Sequence, residues 1–184
     1  MERLNKRSDT YYALLGLITI GCHTGYEIKQ MMDRSLQHFW TISYSQIYPN
    51  LKRLTEEGLL TMTTTVQEDR PDKKEYHLTQ KGEDALQDWL NEPVKQPAAE
   101  KNELLLKLFF SDKQDTASNI RMIELYKKQL RMKYELYETI EQSLLKREGM
   151  EHRLFTIDYG KRVTSAAIEW ADAVISKLKK GVEL

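Results

Sequence analysis

The stretch YSQIYPNLKRLTEEGLL, residues 44–60, combines helical periodicity with an interior proline. At 100° per residue, Ile47, Leu51, Leu54 and Gly58 fall on one stripe that we expect to be buried. The opposite face would hold Ser45, Pro49, Lys52 and Glu56, flanked by Gln46 and Arg53, with Tyr44 and Tyr48 at its edge. Because proline lacks an N–H, it destabilises a helix little only near the helix start. Ser43 and Gln46 have the spacing of a capping pair for a helix that starts near Ser45. The stretch therefore predicts an amphipathic helix with a polar outer face.

The neighbouring segments predict a winged helix-turn-helix around this helix. Residues 8–21, SDTYYALLGLITIG, have helical spacing with Ser8 or Asp9 as N-cap, and Thr24 with Glu27 has the spacing of a capping box for a second helix. Residues 59–67 and 74–78 read as two strands joined by a turn, and Thr79 precedes a further helix over residues 80–91. In such a domain the third helix enters the major groove and the hairpin reaches the neighbouring backbone.

Composition indicates a soluble intracellular chain. The 184 residues contain 28 basic and 28 acidic side chains, so no overall charge draws the chain to nucleic acid or membrane. The single cysteine, Cys22, excludes an internal disulfide framework. The first residues lack the apolar core of a signal peptide, and no apolar run of about 18 residues occurs. We expect a cytoplasmic protein.

Two prolines divide the chain. Pro93 and Pro97 lie in the polar segment NEPVKQPAAE, so we predict one domain over residues 1–92 and a second over 98–184. The second domain reads as three helices with few glycines. Its longest helix, within residues 117–148, carries two neighbouring apolar stripes, where a single-faced surface helix needs one. The second stripe favours contact with another subunit, although a monomeric helical bundle is the alternative.

The charge of the first domain also favours a dimer. Residues 1–92 contain 11 basic and 14 acidic side chains, whereas residues 93–184 contain 17 and 14. A DNA-binding domain is usually basic, so positive charge must be local, at Arg3, Lys6 and Arg7, at Lys52 and Arg53, and at the wing tip. Few phosphate contacts per subunit predict weak binding by a monomer, which linking two subunits would correct.

Three motifs resemble the PadR family of bacterial transcriptional regulators. They are GYEI at residues 25–28, IYPNLKRLTEEGL at 47–59, and YHLTQKG at 76–82, in the family's order. The second half resembles the longer subgroup with a helical dimerisation domain, and FW at 39–40 with KNELLLKLFFS at 101–111 resembles the phenolic-acid-responsive repressors. The resemblance implies a mainly α fold, in which a winged helix-turn-helix domain is followed by a C-terminal α-helical dimerisation domain. It also implies that the protein acts as a homodimeric repressor that binds a palindromic operator.

The resemblance places the Tyr-Pro pair in the recognition helix. We expect Ser45, Gln46 and Pro49 to face base edges, and Tyr44, Lys52 and Arg53 to contact phosphates. The other residues that we assign to DNA contact are Tyr26, at the start of the second helix, Ser43 and Tyr48, at the start and edge of the third, and Arg70, Lys73 and Lys74, at the wing tip. The alternative for each is an ordinary solvated surface position.

The same subgroup binds small aromatic acids, which implies an effector for this chain. A ring carrying a carboxylate needs an apolar slot and a cation, and Tyr159, Lys161 and Arg162 offer both within one helical turn. Solvated charges at a helix start are the alternative for these residues.

Other function classes find little support in the sequence. His23, His38, His77 and His152 are scattered without metal-ligand spacing, and no nucleophile motif or phosphate-binding glycine loop occurs. We expect neither an enzyme nor a bound cofactor or metal. A winged helix used as a protein-docking module without DNA function is the alternative, and the acidic first half favours it slightly.

Overall fold

The computed structural model describes residues 8–66, 72–94 and 101–181. The chain divides into two compact units, Met1–Pro97 and Ala98–Leu184. The first unit contains four α-helices and a two-stranded sheet among its described residues, in the order α1 (Asp9–Thr19), α2 (Gly25–Met31), α3 (Tyr44–Glu56), β1 (Leu60–Thr65), β2 (Lys73–Leu78) and α4 (Gln80–Asn91). One π-helical turn, Met32–Leu36, extends α2.

Local capping sets where these helices begin. The Ser8 side chain accepts a hydrogen bond from the N–H of Thr10 at the start of α1. Thr24 and Glu27 form the predicted capping box of α2, and the Thr79 hydroxyl accepts from the N–H of Gly82 at the start of α4. Each cap satisfies N–H groups that have no partner within the helix, which is why the three predicted starts are correct.

One apolar core holds the first unit together. It includes the buried faces of α1 and α3, together with the start of β1 and the middle of β2. Strands β1 and β2 pair antiparallel, with Leu60 opposite Leu78 and Thr65 opposite Lys73. Leu60 and Tyr76 are buried and Leu78 packs partly buried against the core. Most other residues of the two strands are exposed, so the hairpin projects from the core as a wing.

The α3 stripe is buried as predicted, apart from its last member. Ile47, Leu51 and Leu54 are fully buried, whereas Gly58 is exposed. The prediction for Gly58 was wrong because the helix ends at Glu56 and the chain turns there with a φ of 71° at Gly58, a conformation that favours glycine.

The second unit consists of α5 (Glu103–Phe109), a 3₁₀ turn (Ser111–Lys113), α6 (Thr116–Leu144) and α7 (Glu151–Lys180). Helices α6 and α7 run antiparallel, since Glu124 pairs with Lys179 and Glu141 pairs with Lys161. Buried side chains of α5, α6 and α7 form a second, smaller core. Leu104 of α5 is buried, whereas Leu105 and Phe109 of the same helix are exposed.

The two apolar stripes of α6 have different environments. Ile123, Leu130 and Tyr137 are buried. On the neighbouring face, Leu125, Met132 and Leu136 are exposed by 66%, 61% and 45%. The prediction of a mainly α chain with a winged helix-turn-helix followed by a helical region is confirmed. Within the described ranges, no helix combines the length and the apolar character needed to cross a membrane.

Candidate nucleic-acid interface

The polar face of α3 is turned to solvent. Ser45, Gln46, Pro49, Lys52 and Arg53 are all exposed, while the other side of the same helix lies in the core. The periodicity of residues 44–60 therefore placed these five side chains on the correct face. A rigid helix that is buried on one side presents them together.

A hydrogen-bonded cap organises the first turn of this helix. The helix begins at Tyr44, one residue before the predicted start. The N–H of Ser43 donates to Oε1 of Gln46 at 3.1 Å, and the Ser43 hydroxyl donates to the same oxygen at 3.0 Å. The Gln46 N–H donates to the Ser43 carbonyl at 2.9 Å. Ser43 and Gln46 therefore form the capping pair that the sequence predicts.

Pro49 lies inside the helix, in its second turn. Because proline has no N–H, the carbonyl of Ser45 lacks the helical hydrogen bond that residue 49 would otherwise donate. The next carbonyl, of Gln46, accepts an additional bond from Nδ2 of Asn50 at 2.7 Å. The proline thus removes one backbone hydrogen bond from the second turn of the helix.

Two tyrosines border this face. The rings of Tyr44 and Tyr48 meet edge to face with centroids 5.6 Å apart, and their hydroxyls are 3.3 Å apart. The hydrogen bond with Tyr44, together with desolvation, raises the pKa of Tyr48 to about 12. Tyr26, on α2, is 67% exposed. Three phenols therefore lie at the surface near the start of α2 and α3.

The two cations of α3 are partly occupied by neighbouring acids. Lys52 lies 3.7 Å from Glu56, and Nε of Arg53 donates to Glu57 at 3.0 Å. The Arg53 guanidinium also lies 5.2 Å from the ring centroid of Tyr11, which is buried. Exposed ion pairs contribute only about 0–1 kcal/mol, so a phosphate could replace either carboxylate.

The wing carries further cations. Lys73 pairs with Glu75 at 2.7 Å, and hydrogen bonding to Glu75 raises the pKa of Lys73. Lys74 is exposed and lies opposite Thr64 in the hairpin. Arg70, the third predicted wing contact, lies outside the described residues, as do the N-terminal cations Arg3, Lys6 and Arg7.

The turn before α2 is tied to the wing, which the sequence did not predict. The N–H of Tyr76 donates to the His23 carbonyl at 2.8 Å, Nδ1 of His23 lies 3.1 Å from the Tyr76 carbonyl, and the rings of His23 and His77 are 4.7 Å apart. Glu27 accepts from the N–H groups of His23 and Thr24, both at 2.9 Å. Desolvation alone would raise the pKa of Glu27, but these bonds keep it below its ordinary value.

The predicted effector residues do not converge on one point. Tyr159 is 70% exposed on α7. Lys161 faces α6, where it pairs with Glu141 at 2.7 Å and lies 5.5 Å from the ring centroid of Tyr134. Arg162 is exposed and pairs with Asp158 at 2.8 Å. Both cations are therefore neutralised by carboxylates of the second unit. Across residues 8–66, 72–94 and 101–181, no three His, Cys, Asp or Glu side chains form a group that could hold a metal ion.

Comparisons with known proteins agree with this architecture. Residues 14–88 match the model of the transcriptional regulator PadR-like family, and residues 100–179 match that of the virulence activator alpha C-terminal region. The negative transcriptional regulator PadR of Bacillus subtilis is 33% identical over 181 residues, which cover 92% of this chain and 97% of the relative.

Two solved structures share the fold over nearly the whole chain. The crystal structure of Bacillus subtilis PadR in complex with operator DNA matches with a TM-score of 0.85 and 27% identity, and covers 93% of this chain and 99% of that one. The structure of the same protein in complex with p-coumaric acid matches with a TM-score of 0.80 and 24% identity, over 94% and 99% of the two chains. The sequence match and the shared fold together establish that this chain belongs to the PadR-like family of transcriptional regulators.

Proposed function

We propose that the protein is a transcriptional repressor that binds an inverted-repeat operator as a homodimer and is released by a small aromatic acid. The observation that carries this proposal is the exposed polar face of α3, Ser45, Gln46 and Pro49, on a helix anchored by three fully buried side chains. The fold match to PadR bound to operator DNA supports the same role for this face. A helix presented in this way fits the major groove.

The contacts divide by chemistry. Ser45, Gln46 and Pro49 face base edges, and Tyr44, Tyr48, Lys52 and Arg53 contact the phosphate backbone beside them. Tyr26 and Ser43 meet the backbone at the helix starts. Lys73, Lys74 and Arg70 bring the wing to the adjacent minor groove. Base contacts specify the sequence, whereas phosphate contacts set position and produce salt dependence.

The second unit provides the dimer interface. The exposed apolar row of α6, defined by Leu125, Met132 and Leu136, has a counterpart on α7 in Phe155, Tyr159 and Val163. Several large apolar side chains exposed along two packed helices are typical of an interface between subunits. We assign DNA binding to residues 1–92 and dimerisation with effector response to 98–184. Two recognition helices related by a two-fold axis require half-sites about one helical turn apart.

The sign of regulation and the effector rest on the relatives. The 33% identical relative is named a negative transcriptional regulator, which supports repression, while activation is the alternative suggested by the name of the matched C-terminal region. The PadR structure with p-coumaric acid supports a hydroxycinnamate-like effector. Because Tyr159, Lys161 and Arg162 do not converge, the effector carboxylate would displace either Glu141 from Lys161 or Asp158 from Arg162, with Tyr159 available to the ring in the second case. We assign the protein no enzymatic activity and place it in the cytoplasm.

Binding to DNA from the promoter region beside its own reading frame tests the proposal. We expect a shifted complex whose affinity falls steeply between about 50 and 200 mM salt. Substituting Arg53→Ala and Lys74→Ala should weaken that complex. A protein-docking module without DNA function would instead show the same weak DNA binding in wild type and in both variants.

Titration with p-coumaric acid tests the effector. We expect heat of binding in calorimetry and loss of the DNA complex. For such release, the ligand must have a higher affinity for the conformer that does not bind DNA than for the conformer that does. The substitution Lys161→Met should weaken the response. Absence of both heat and release would refute the aromatic-acid effector while leaving DNA binding intact.

A further inference from the structure

The amide of Gln46 has a defined orientation in the cap of α3. The atom 3.1 Å from the Ser43 nitrogen must be an acceptor, because a backbone N–H can only donate. Of the two ends of a glutamine amide, only Oε1 accepts. The Ser43 hydroxyl lies 3.0 Å from the same atom and 2.9 Å from Oγ of Ser45. When the Ser45 hydroxyl donates to Ser43, the single Ser43 proton is directed to Oε1. The amide orientation therefore follows from the chemistry of its partners.

The two cap bonds use the full accepting capacity of Oε1. An amide oxygen has two lone pairs, and the N–H and the hydroxyl of Ser43 occupy both. The Nε2 group retains two N–H donors, and none of the residues that the structure describes accepts a hydrogen bond from them. Because Gln46 is exposed on the outer face of α3, its side chain offers donors alone to a ligand there.

This polarity matters for reading bases. A free glutamine pairs with adenine through two bonds, in which Oε1 accepts from N6 and Nε2 donates to N7. With Oε1 bonded twice by Ser43, the first of these bonds forms only if a cap bond is broken. Guanine offers two acceptors in the major groove, O6 and N7, and thymine offers O4. These keto bases match a side chain that can only donate.

We propose that Gln46 selects a keto base, guanine or thymine, in each half-site and does not form the two-bond pair with adenine. The inference rests on the proposed DNA binding and adds to it the chemical class of base that one residue reads. To read adenine, Gln46 would have to release at least one of the two bonds of its own helix cap, since each bond occupies one lone pair of Oε1.

Selection of bound duplexes from a randomised DNA library tests the proposal with the full-length protein. The informative variant is Gln46→Glu. A glutamate at this position can still accept from the Ser43 N–H, so the cap is retained, but it has no N–H to donate. The free carboxylate oxygen would accept from the amino group of cytosine or adenine. The matched control is Gln87→Glu, which adds the same charge at an exposed position of α4.

We expect the wild-type chain to select guanine or thymine at one position of each half-site, and Q46E to select cytosine or adenine there. Replacing the preferred base pair should weaken wild-type binding by at least about fivefold. Gln46→Met, which has no hydrogen-bonding group at that end, should bind the four base pairs at that position with similar affinity, whatever the variant does to the cap. Q87E should select the wild-type sequence.

Two results would overturn the inference while preserving DNA binding: the same preference in wild type, Q46E and Q46M, or a Gln46-dependent position that is adenine. A wild-type chain that enriches no sequence would instead contradict the proposed function. Thermal unfolding of each variant, followed by circular dichroism, separates a change in base preference from loss of the fold.

Discussion

Gly25, the first residue of α2, lies directly against the ring of Tyr48 in α3. A Cβ atom on Gly25 would be 2.7 Å from Cε1 of the tyrosine and 2.9 Å from its hydroxyl oxygen. The GYEI and IYP motifs, which are separate in the sequence, thus meet at one contact. The absence of a side chain at Gly25 determines where the Tyr48 phenol lies, and with it the pairing of Tyr48 with Tyr44.

Replacing Gly25 with alanine should move this phenol. Because the Tyr48 ring is partly exposed and can rotate, we expect a modest loss of stability, about 1 kcal/mol, together with disruption of the Tyr44–Tyr48 hydrogen bond. The pKa of Tyr48 should then fall from about 12 toward its ordinary value, which ultraviolet titration of the tyrosines measures. Gly16→Ala is the control, since no atom lies within 4 Å of the added Cβ, and it should be neutral or stabilising. An unchanged tyrosine titration in G25A would contradict the proposed contact.

Stability should depend on pH through Glu27. The hydrogen bonds from Thr24 and His23 keep the pKa of Glu27 below 4.5, so its carboxylate contributes stability above about that pH and loses the contribution as pH falls through the lowered pKa. We expect Glu27→Gln to lower the free energy of unfolding at pH 7 and to reduce the loss of stability between pH 7 and pH 3. Urea unfolding at both pH values measures this. Glu56→Gln, which removes one long surface ion pair, is the control, and an equal pH dependence in E27Q and wild type would refute the role of Glu27.

The salt dependence of DNA binding should report on Lys52. Each phosphate contact adds about 0.9 to the slope of log affinity against log salt, so Lys52→Ala should lower the slope of a dimer by about 1.8. Glu56→Gln should instead tighten binding at low salt, because it removes the carboxylate that lies 3.7 Å from Lys52. Fluorescence anisotropy over a salt series measures both effects. Asp88→Asn, on α4, controls for the charge change, and a K52A slope equal to that of wild type would show that Lys52 does not contact a phosphate.

The exposed row of α6 should be required for dimerisation. Leu136 is 45% exposed in the single chain, so Leu136→Glu should leave the fold intact while placing two unpaired carboxylates in a dimer interface. We expect a monomer in sedimentation velocity, normal helix content, and a large loss of operator affinity. Gln142→Glu, at another exposed position of α6, should remain dimeric. A dimeric L136E protein would place the interface elsewhere.

The sequence by itself determined the local elements of this protein. The N-caps at Ser8, Thr24 and Thr79 involve residues only two or three positions apart, so spacing alone reveals them. The same is true of the stripe through Ile47, Leu51 and Leu54, because helical periodicity fixes which side chains share a face. The wing strands also follow from local alternation and turn residues.

Only the tertiary structure decided which side chains pair across different elements of the fold. The guanidinium of Arg53 lies near the ring of Tyr11, Lys161 turns toward Glu141, and the His23 turn bonds to Tyr76. These pairs join residues 20 to 53 positions apart, and no periodicity encodes such contacts. The exposure of Leu125 and Leu136 likewise depends on which stripe of α6 packs on α7, since both stripes carry large apolar or aromatic side chains in the sequence.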